Sequence, residues 1–468
     1  MSEAVDSRPA KGVRTRERVS LWAVARQLAP FGLAFAVYLA AFLVMRPATA
    51  GDEPHYLLVA ESIAYDGDVE VANDYANRER TLRVVDQFPL STQFQAAVYT
   101  KSGDLRPLHG VGLSAVLAPA VALGGLTGAR IVMVLLAALL ADQLFRLLRD
   151  LGFRQRYRIL AWIAAAFSLP VLTFSNQIYP ELPGALLVVV SLRIMFVGAS
   201  SPAALALGST AAAALVWLHV RYIPVSVGVF FGLALSAFAD RGQGTRSSRA
   251  LGLVDRIRAG GASVGRYAAV ARKRWRMALP ALVVPYALGL GLLAVAFRHW
   301  YGSPDPRAPY LGFGYSTVGS GGSNFVWQYV LTDLLNPMAG WIPYAPVHLL
   351  GLAALGCLVV MFRWPAAACI AVAAGHELIL ASAGPLIGWG FPARYPLIVI
   401  PLIAIPIALV IQELRVARVV FYPLLAASLI LTAAATQDYK RLYPVGDKPR
   451  LFGIRSAAAA FPVTNRPP

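Results

Sequence analysis

The sequence predicts an all-α polytopic membrane protein of about eleven transmembrane helices, with interfacial helices in a large first outer loop. Three observations carry that prediction. Hydrophobic residues make up 57% of the 468 and charged residues only 14%. Apolar runs recur at the roughly 20 residues that a helix needs to cross a bilayer. The basic residues behind the net charge of +18 gather in short stretches between those runs, as they do in cytoplasmic loops. A soluble domain cannot bury that much apolar surface, so one membrane domain is the economical reading. The placement of the charge argues against nucleic acid as a partner. Cys357 and Cys369 both lie in apolar runs, which supports neither a disulfide framework nor a zinc cluster.

In chain order, residues 1–27 form a basic tail with Arg8, Lys11, Arg14, Arg16, Arg18 and Arg26, read as cytoplasmic. The membrane domain covers 28–436, with spans at 28–45, 128–148, 158–175, 182–198, 203–218, 222–239, 277–297, 344–362, 365–387, 396–412 and 419–436. The stretch 109–125, HGVGLSAVLAPAVALGG, is apolar but short, carries Pro119 and is bracketed by glycines. Charge decides its role. Residues 149–158 are basic, and 240–276 carry ten Lys/Arg against two Asp. Both fall inside only if 109–125 is an interfacial or re-entrant helix belonging to an outer loop at 46–127. The outer face then receives 176–181, 219–221, 298–343, 388–395 and a short tail at 437–468. The first apolar run is read as a span, since Arg46 interrupts the approach to the Ala-Thr-Ala that resembles a signal cleavage site.

On this topology the outer polar residues cluster in short motifs. GDEPHYLLVAESIAYDGD (51–68) opens with Asp52-Glu53 and a proline suited to a first helical turn. Glu181 stands in SNQIYPELPG, and His219 and Arg221 stand in VWLHVRYIP. RHWYGSPDPRAPY follows the seventh span, and GWGFPARYPLIVIP, with Arg394 and Tyr395, precedes the tenth. Each also has a purely structural reading. Asp52, Glu53 and Glu181 suit helix starts. His219 and Arg221 suit an interface lined by Trp217 and Tyr222, and Arg394 suits a snorkelling helix end. The remaining acids of 61–86 read as a solvated face. GSGGSN (319–324) reads as a flexible loop, or as a lid if it orders over substrate.

Convergence on one membrane face favours chemistry. A carboxylate that takes a proton, beside cations that hold a phosphate, is what glycosyl transfer from a lipid-phosphate sugar needs. Arg and His meet the negative charge that accumulates on the departing phosphate. Apolar spans and short outer helices accommodate a prenyl chain.

In these same residues the sequence resembles the GT-C superfamily of membrane glycosyltransferases, and within it protein O-mannosyltransferases and lipid A aminoarabinose transferases. GDEPHYLLVAESIAYDGD resembles their acidic opening motif. PLHGVGLSAVLAPAVALGG (107–125) occupies the place of their interfacial helix, and YPELPGALLVV resembles their second outer acidic motif. The likeness covers 28–200 well and the rest more weakly, and the usual soluble sugar-recognition domain is not seen after the last span. It implies an inverting transfer of a sugar from a polyprenyl-phosphate donor to a glycan, lipid or protein acceptor. The reaction is expected on the non-cytoplasmic face of a cell inner or plasma membrane. It further implies Asp52 as general base, with Glu53 and Glu181 supporting the base or positioning the acceptor. His219, Arg221 and Arg394 are expected at the donor phosphate, and Tyr56, His109, Trp300 and Tyr395 at the substrate. No metal ligand set is expected, and a divalent cation is an optional partner of a diphosphate or of the Asp52-Glu53 pair.

Two other classes compete. A transporter or lipid-linked sugar flippase would place ionisable groups near the bilayer midplane. Asp142, Arg193 and Glu377 are the main charges within spans, and His376-Glu377, about mid-span, is the feature favouring transport. An O-antigen ligase-like enzyme using a diphosphate donor would want outward Arg and His, but not the Asp-Glu pair after the first span.

Overall fold

A computed structural model describes residues 21–49, 51–85, 97–100, 103–198, 201–238, 267–312, 330–331, 333–335, 340–382 and 393–437. The sequence-based assignments for residues 1–20, 240–266, 319–324 and 438–468 fall outside the described residues. The chain is a bundle of helices with one small hairpin. Helix α1 spans Leu21–Met45, α2 Glu53–Tyr65, α3 Ala72–Ala76 and α4 Arg78–Val84. Strands β1 (Ala97–Tyr99) and β2 (Leu105–Pro107) pair antiparallel, with Val98 opposite Arg106. Then come α5 (Gly112–Asp150), α6 (Gln155–Ala166), α7 (Val171–Phe174), α8 (Glu181–Arg193), α9 (Pro202–Leu218) and α10 (Ile223–Phe238). Helix α11 covers Tyr267–Tyr301 and the short α12 Ala308–Gly312. The last third holds helices His348–Ala353, Gly356–Phe362, Trp364–Ser382, Ile400–Glu413 and Arg415–Gln437.

Among the described residues, six helical stretches are long and apolar enough to cross a membrane: Gln27–Met45, Gly112–Asp150, Val220–Ala237, Met277–Tyr301, Tyr395–Glu413 and Arg415–Gln437. The Tyr395–Glu413 stretch is 94% buried and stands in the middle, packed by α6 and α8, whereas Met277–Tyr301 is 17% buried and peripheral. This peripheral helix turns Leu288, Leu292 and Val295 outward, as a lipid-facing surface requires.

Several expected spans depart from single continuous helices. The stretch 158–175 breaks at residues 167–170, between α6 and α7, and 344–362 divides at Ala354-Leu355. Apolar composition continues through both breaks, so hydropathy alone cannot see them. Helix α8 runs on as a π-helical turn through Ile194–Gly198, covering the span expected at 182–198. The long α5 is two helices, because Gly124 and Gly125 leave the helical region, Gly125 with φ +53°. The fold-back presses Gly128 so closely on Ala120 that a Cβ would lie 2.1 Å from the Ala120 carbonyl oxygen. Residues 112–123 are thereby separated from the long helical piece that follows.

The outer loop is better packed than expected of a solvated acidic face. Glu61 and Asp74 are fully buried. Arg80 binds Asp66 through two nitrogens, one at 2.9 Å, and reaches Asp74 at 3.2 Å. The physical reason is that α2 lies against α5 along its length, so its inner face, Glu61 included, is closed to water. Burial, then the nearby Asp74 charge, pushes the Glu61 carboxyl up to about 7.

Candidate active site

Two helix starts, one turn and the entry to the central helix converge on a single charged cluster. Asp52 stands at the N-cap of α2, where Pro54 fixes the first turn, but its side chain makes no cap hydrogen bond. It points away from its own helix: Oδ2 accepts from Arg394 Nη2 at 2.7 Å. Arg394 also donates Nε to Glu181 Oε1 at 2.7 Å, and the same oxygen accepts from Arg221 Nη2. Asp52, Arg394, Glu181 and Arg221 thus form a chain of alternating charge, drawn from the starts of α2 and α8, the turn after α9 and the entry to the central helix.

Aromatic rings frame the cations. Arg394 lies 4.0 Å above the Tyr179 ring, and the Tyr395 ring has Arg221 at 4.9 Å and Arg394 at 5.5 Å. A second row runs beside Asp52. The Tyr56 and His109 rings stack at 5.3 Å, and His109 and His219 stand 5.8 Å apart. His109 Nε2 is 3.8 Å from Asp52 Oδ1. His219 ends α9 and turns its Nδ1 back to accept the main-chain N–H of Arg221 at 3.2 Å. Glycine makes this meeting possible: a Cβ on Gly110 would lie 2.6 Å from the main-chain oxygens of Trp217 and Leu218. Only a bare backbone lets His109 come up against the end of α9.

The electrostatics follow from burial and pairing. Burial alone would raise the Asp52 carboxyl, but Arg394, His109 and Arg221 together hold it well below the usual carboxylate range. Burial works against the charge on Arg394, and Glu181 and Asp52 more than restore it. Burial and neighbouring cations hold His109 and His219 below the ordinary imidazole value, so both are neutral at neutral pH. Four buried polar atoms of the cluster make no hydrogen bond: Tyr56 Oη, His109 Nε2, Glu181 Oε2 and Arg221 Nε. A substrate rich in hydroxyl and phosphate oxygens would satisfy such atoms.

The structure therefore brings together Asp52, Glu181, His219, Arg221, Arg394, Tyr56, His109 and Tyr395. Glu53 is adjacent but turned elsewhere, its Oε1 accepting the main-chain N–H of Ile178 at 2.8 Å. That bond ties the start of α2 to the 176–181 turn that carries Tyr179 and Glu181. Trp300 is not in the cluster; it packs beside Phe297, Tyr301 and Val216. Sequence reasoning named Tyr222 only as part of an interfacial lining and did not single out Tyr179 or Tyr310, although all three lie in motifs it quoted. Tyr222 Oη accepts from Arg221 at 3.3 Å, and Tyr310 Oη stands 3.1 Å from His219 Nε2 and 3.5 Å from His109 Nδ1. Among the described residues, no group of three or more His, Cys, Asp and Glu stands close enough to hold a metal ion. Asp52 and Glu53 face different partners.

The charges within spans have local partners. Asp142 accepts from Arg146 at 2.6 Å, and Arg193 donates to Asp150 at 2.8 Å and Gln143 at 2.9 Å, all towards one end of the bundle. His376 Nδ1 faces the Arg221 carbonyl oxygen at 3.4 Å, and its ring is 5.6 Å from Tyr222. It adjoins the cluster already described. Glu377 hydrogen-bonds Asp333, whose carboxyl burial pushes up to about 7.

Solved structures resemble this arrangement of helices. ArnT from Cupriavidus metallidurans in the apo state matches 91% of this chain and 66% of its own, at 15% identity and a TM-score of 0.51. ArnT from the same organism bound to undecaprenyl phosphate matches 84% of this chain and 61% of its own, at 13% identity and 0.48. The archaeal oligosaccharyltransferase AglB from Archaeoglobus fulgidus, in complex with an inhibitory peptide and a dolichol-phosphate, matches 89% and 56% at 12% identity and 0.45. This chain thus spans 66% of the length of apo ArnT. No protein-family model matches the sequence, and no curated protein matches it. At this identity the likeness establishes the fold, which is the GT-C membrane fold.

Proposed function

We propose that this chain is a glycosyltransferase that moves a sugar from a polyprenyl-phosphate donor to an acceptor hydroxyl on the non-cytoplasmic face of the membrane. The GT-C fold supports the reading, but the observation that carries it is the Asp52 carboxylate. It is buried, ionised and held between His109 and Arg394, with a second guanidinium, Arg221, one carboxylate further along. In this reading the acceptor hydroxyl attacks the anomeric carbon on the face opposite the phosphate. Its proton passes to Asp52 as the new bond forms, and the C–O bond to phosphate breaks with inversion. A carboxylate held this low is a weak base in the resting site. It suffices in a transition state where the attacking hydroxyl has already become acidic. Arg221, with Nε lacking a hydrogen-bond partner, takes the departing phosphate. Arg394 fixes Asp52 and Glu181 and acts on the phosphate only at longer range. Glu53 positions the 176–181 turn, and Tyr56 and Tyr395 line the sugar.

The local pairing of Asp142 and Arg193, and the contact of His376 with the same cluster, favour the transferase reading over a transporter. The deciding experiment is transfer in proteoliposomes from a radiolabelled polyprenyl monophosphate sugar. Asp52→Asn in a folded preparation should lower transfer by about 10²–10⁴-fold. Undiminished transfer removes the catalytic assignment, and transfer only from a diphosphate-linked glycan replaces the reading with a ligase.

A further inference from the structure

Away from the charged cluster, a groove of about 680 Å³ opens on the side of the bundle between α5, α8 and α9. Leu139, Leu186, Val190, Leu207 and Ala214 line it, and Leu139 and Leu207 stand 40% and 58% exposed at its rim. Among the apolar helices of a membrane bundle such an opening faces hydrocarbon. It follows α8 and its π-helical turn from Leu186 to Val197. At a helical rise that is about 16 Å, close to the roughly 15 Å depth of one leaflet.

The charged groups of the groove gather at one end. Gln143, Asp150 and Arg193 stand there, about three turns along α8 from Glu181 and so on the far side of the bundle from the charged cluster. Thr210 is the other polar residue of the wall, and its hydroxyl donates to the Ala206 carbonyl oxygen of its own helix at 2.9 Å. Arg193 donates Nε to Asp150 at 2.8 Å and Nη1 to Gln143 at 2.9 Å, with its side chain 32% exposed. Arg149 binds the same Asp150 at 2.9 Å. One carboxylate thus serves two guanidinium groups, and this end of the groove keeps a positive charge.

We propose that the groove binds an anionic phospholipid of the leaflet opposite the charged cluster, with one acyl chain along α8 and the headgroup phosphate at Arg193. The shape calls for an amphiphile whose polar end lies at the Arg193 end, and the surplus cation selects a headgroup with net negative charge. A polyprenyl-phosphate donor fits less well. Its phosphate belongs at the other end of the bundle, and a tail filling the groove would press hydrocarbon against Arg193 and Asp150. The bound lipid would brace α8 against α9, the helices whose opposite ends carry Glu181 and His219. The site needs no sugar, so it stands apart from the transferase reading.

Native mass spectrometry of the full-length chain in detergent, offered phosphatidylglycerol or phosphatidylcholine with identical acyl chains, measures its occupancy. The wild type should retain phosphatidylglycerol about tenfold more tightly, the size of one charge-assisted contact. Arg193→Gln should bring the two lipids within about twofold of each other. Ala214→Leu, which removes no charge and narrows the groove, should lower phosphatidylglycerol retention about tenfold, and it decides the matter if Arg193→Gln does not fold. Equal retention of the two lipids by the wild type, or a preference that survives Arg193→Gln, overturns the proposal. Retention unchanged in Ala214→Leu does the same. Full displacement of phosphatidylglycerol by an equal concentration of a polyprenyl phosphate would assign the groove to the donor and overturn it as well.

Discussion

Arg394 holds Asp52 and Glu181 at once, each at 2.7 Å, across sequence separations of 342 and 213 residues. Removing the guanidinium leaves two buried carboxylates facing each other with one fewer cation. Arg394→Gln should destabilise the protein by about 3–5 kcal/mol, the cost of stranding one partner of a buried pair. Adding Asp52→Asn should recover part of that loss, because the neutral amide no longer needs the cation. Thermal unfolding of the two single variants and the double variant in one detergent measures the coupling. Additive losses would place the two residues apart.

Arg221 and Glu181 should separate kinetically. Arg221→Gln is expected to raise the donor KM about tenfold, since its free Nε is the group assigned to the phosphate. Glu181→Gln should tighten donor binding modestly, because it releases Arg221 from a carboxylate that competes with the phosphate. Initial rates over a donor concentration series distinguish the two. A Glu181→Gln variant with weaker donor binding would show that the carboxylate only orients the cation.

Gly110 marks where two backbones touch. Gly110→Ala drives a Cβ into main-chain oxygens that cannot swing aside as a flexible side chain would. The expected cost is about 1–3 kcal/mol, with a fall in kcat as His109 retreats from His219 and Asp52. Gly32→Ala, in α1 with open space around it, should cost little, and unfolding midpoints of the pair give the comparison.

Glu61 should make the outer loop sensitive to pH. Its carboxyl is raised from 4.5 to about 7 in the fold, so the folded state favours the protonated form. The stability tied to that proton is fully present below about 4.5 and is lost as pH rises toward 7. Glu61→Gln should therefore stabilise the protein at pH 8, by something on the order of 1 kcal/mol, and change little at pH 4. Melting curves at the two pH values check the sign.

Trp300 provides a contrast. Packed beside Phe297 and Tyr301, it should tolerate Trp300→Phe with transfer unchanged, and Trp300→Ala should lower stability more than turnover. A selective loss of kcat in Trp300→Phe would return it to the substrate site.

Topology made much of the cluster legible in the sequence. Asp52, Glu181, His219, Arg221 and Arg394 each stand where a polar residue meets the end of an apolar run, and the positive-inside rule assigns all five to one face. What sequence could not supply was direction. Asp52 and Glu53 are neighbours, yet consecutive residues at a helix start diverge by about 100°, and one meets Arg394 while the other meets a main-chain N–H. Tyr310 and Tyr179 were hidden for a different reason: tyrosine is ordinary at a membrane interface, so its presence carries little information until its neighbours are known. The interruptions at 167–170 and 354–355 are silent in hydropathy because residues on both sides remain apolar. Glu61 and Asp74 read as solvent-facing because their charge is visible in the sequence and the helix covering them is not.

The separation of 342 residues between Asp52 and its cation also has a consequence for how the protein is made. A ribosome delivers the chain from its N-terminus, so the loop that carries Asp52 is made long before residue 394 exists. Throughout that interval Asp52 lacks the guanidinium that binds it, whereas Glu181 gains Arg221 earlier. The charged centre can close only when the entry to the central helix is threaded between segments already inserted. Completion of the site is thus a late event of biogenesis, and a chain stalled before that helix carries the acids without the cation that organises them.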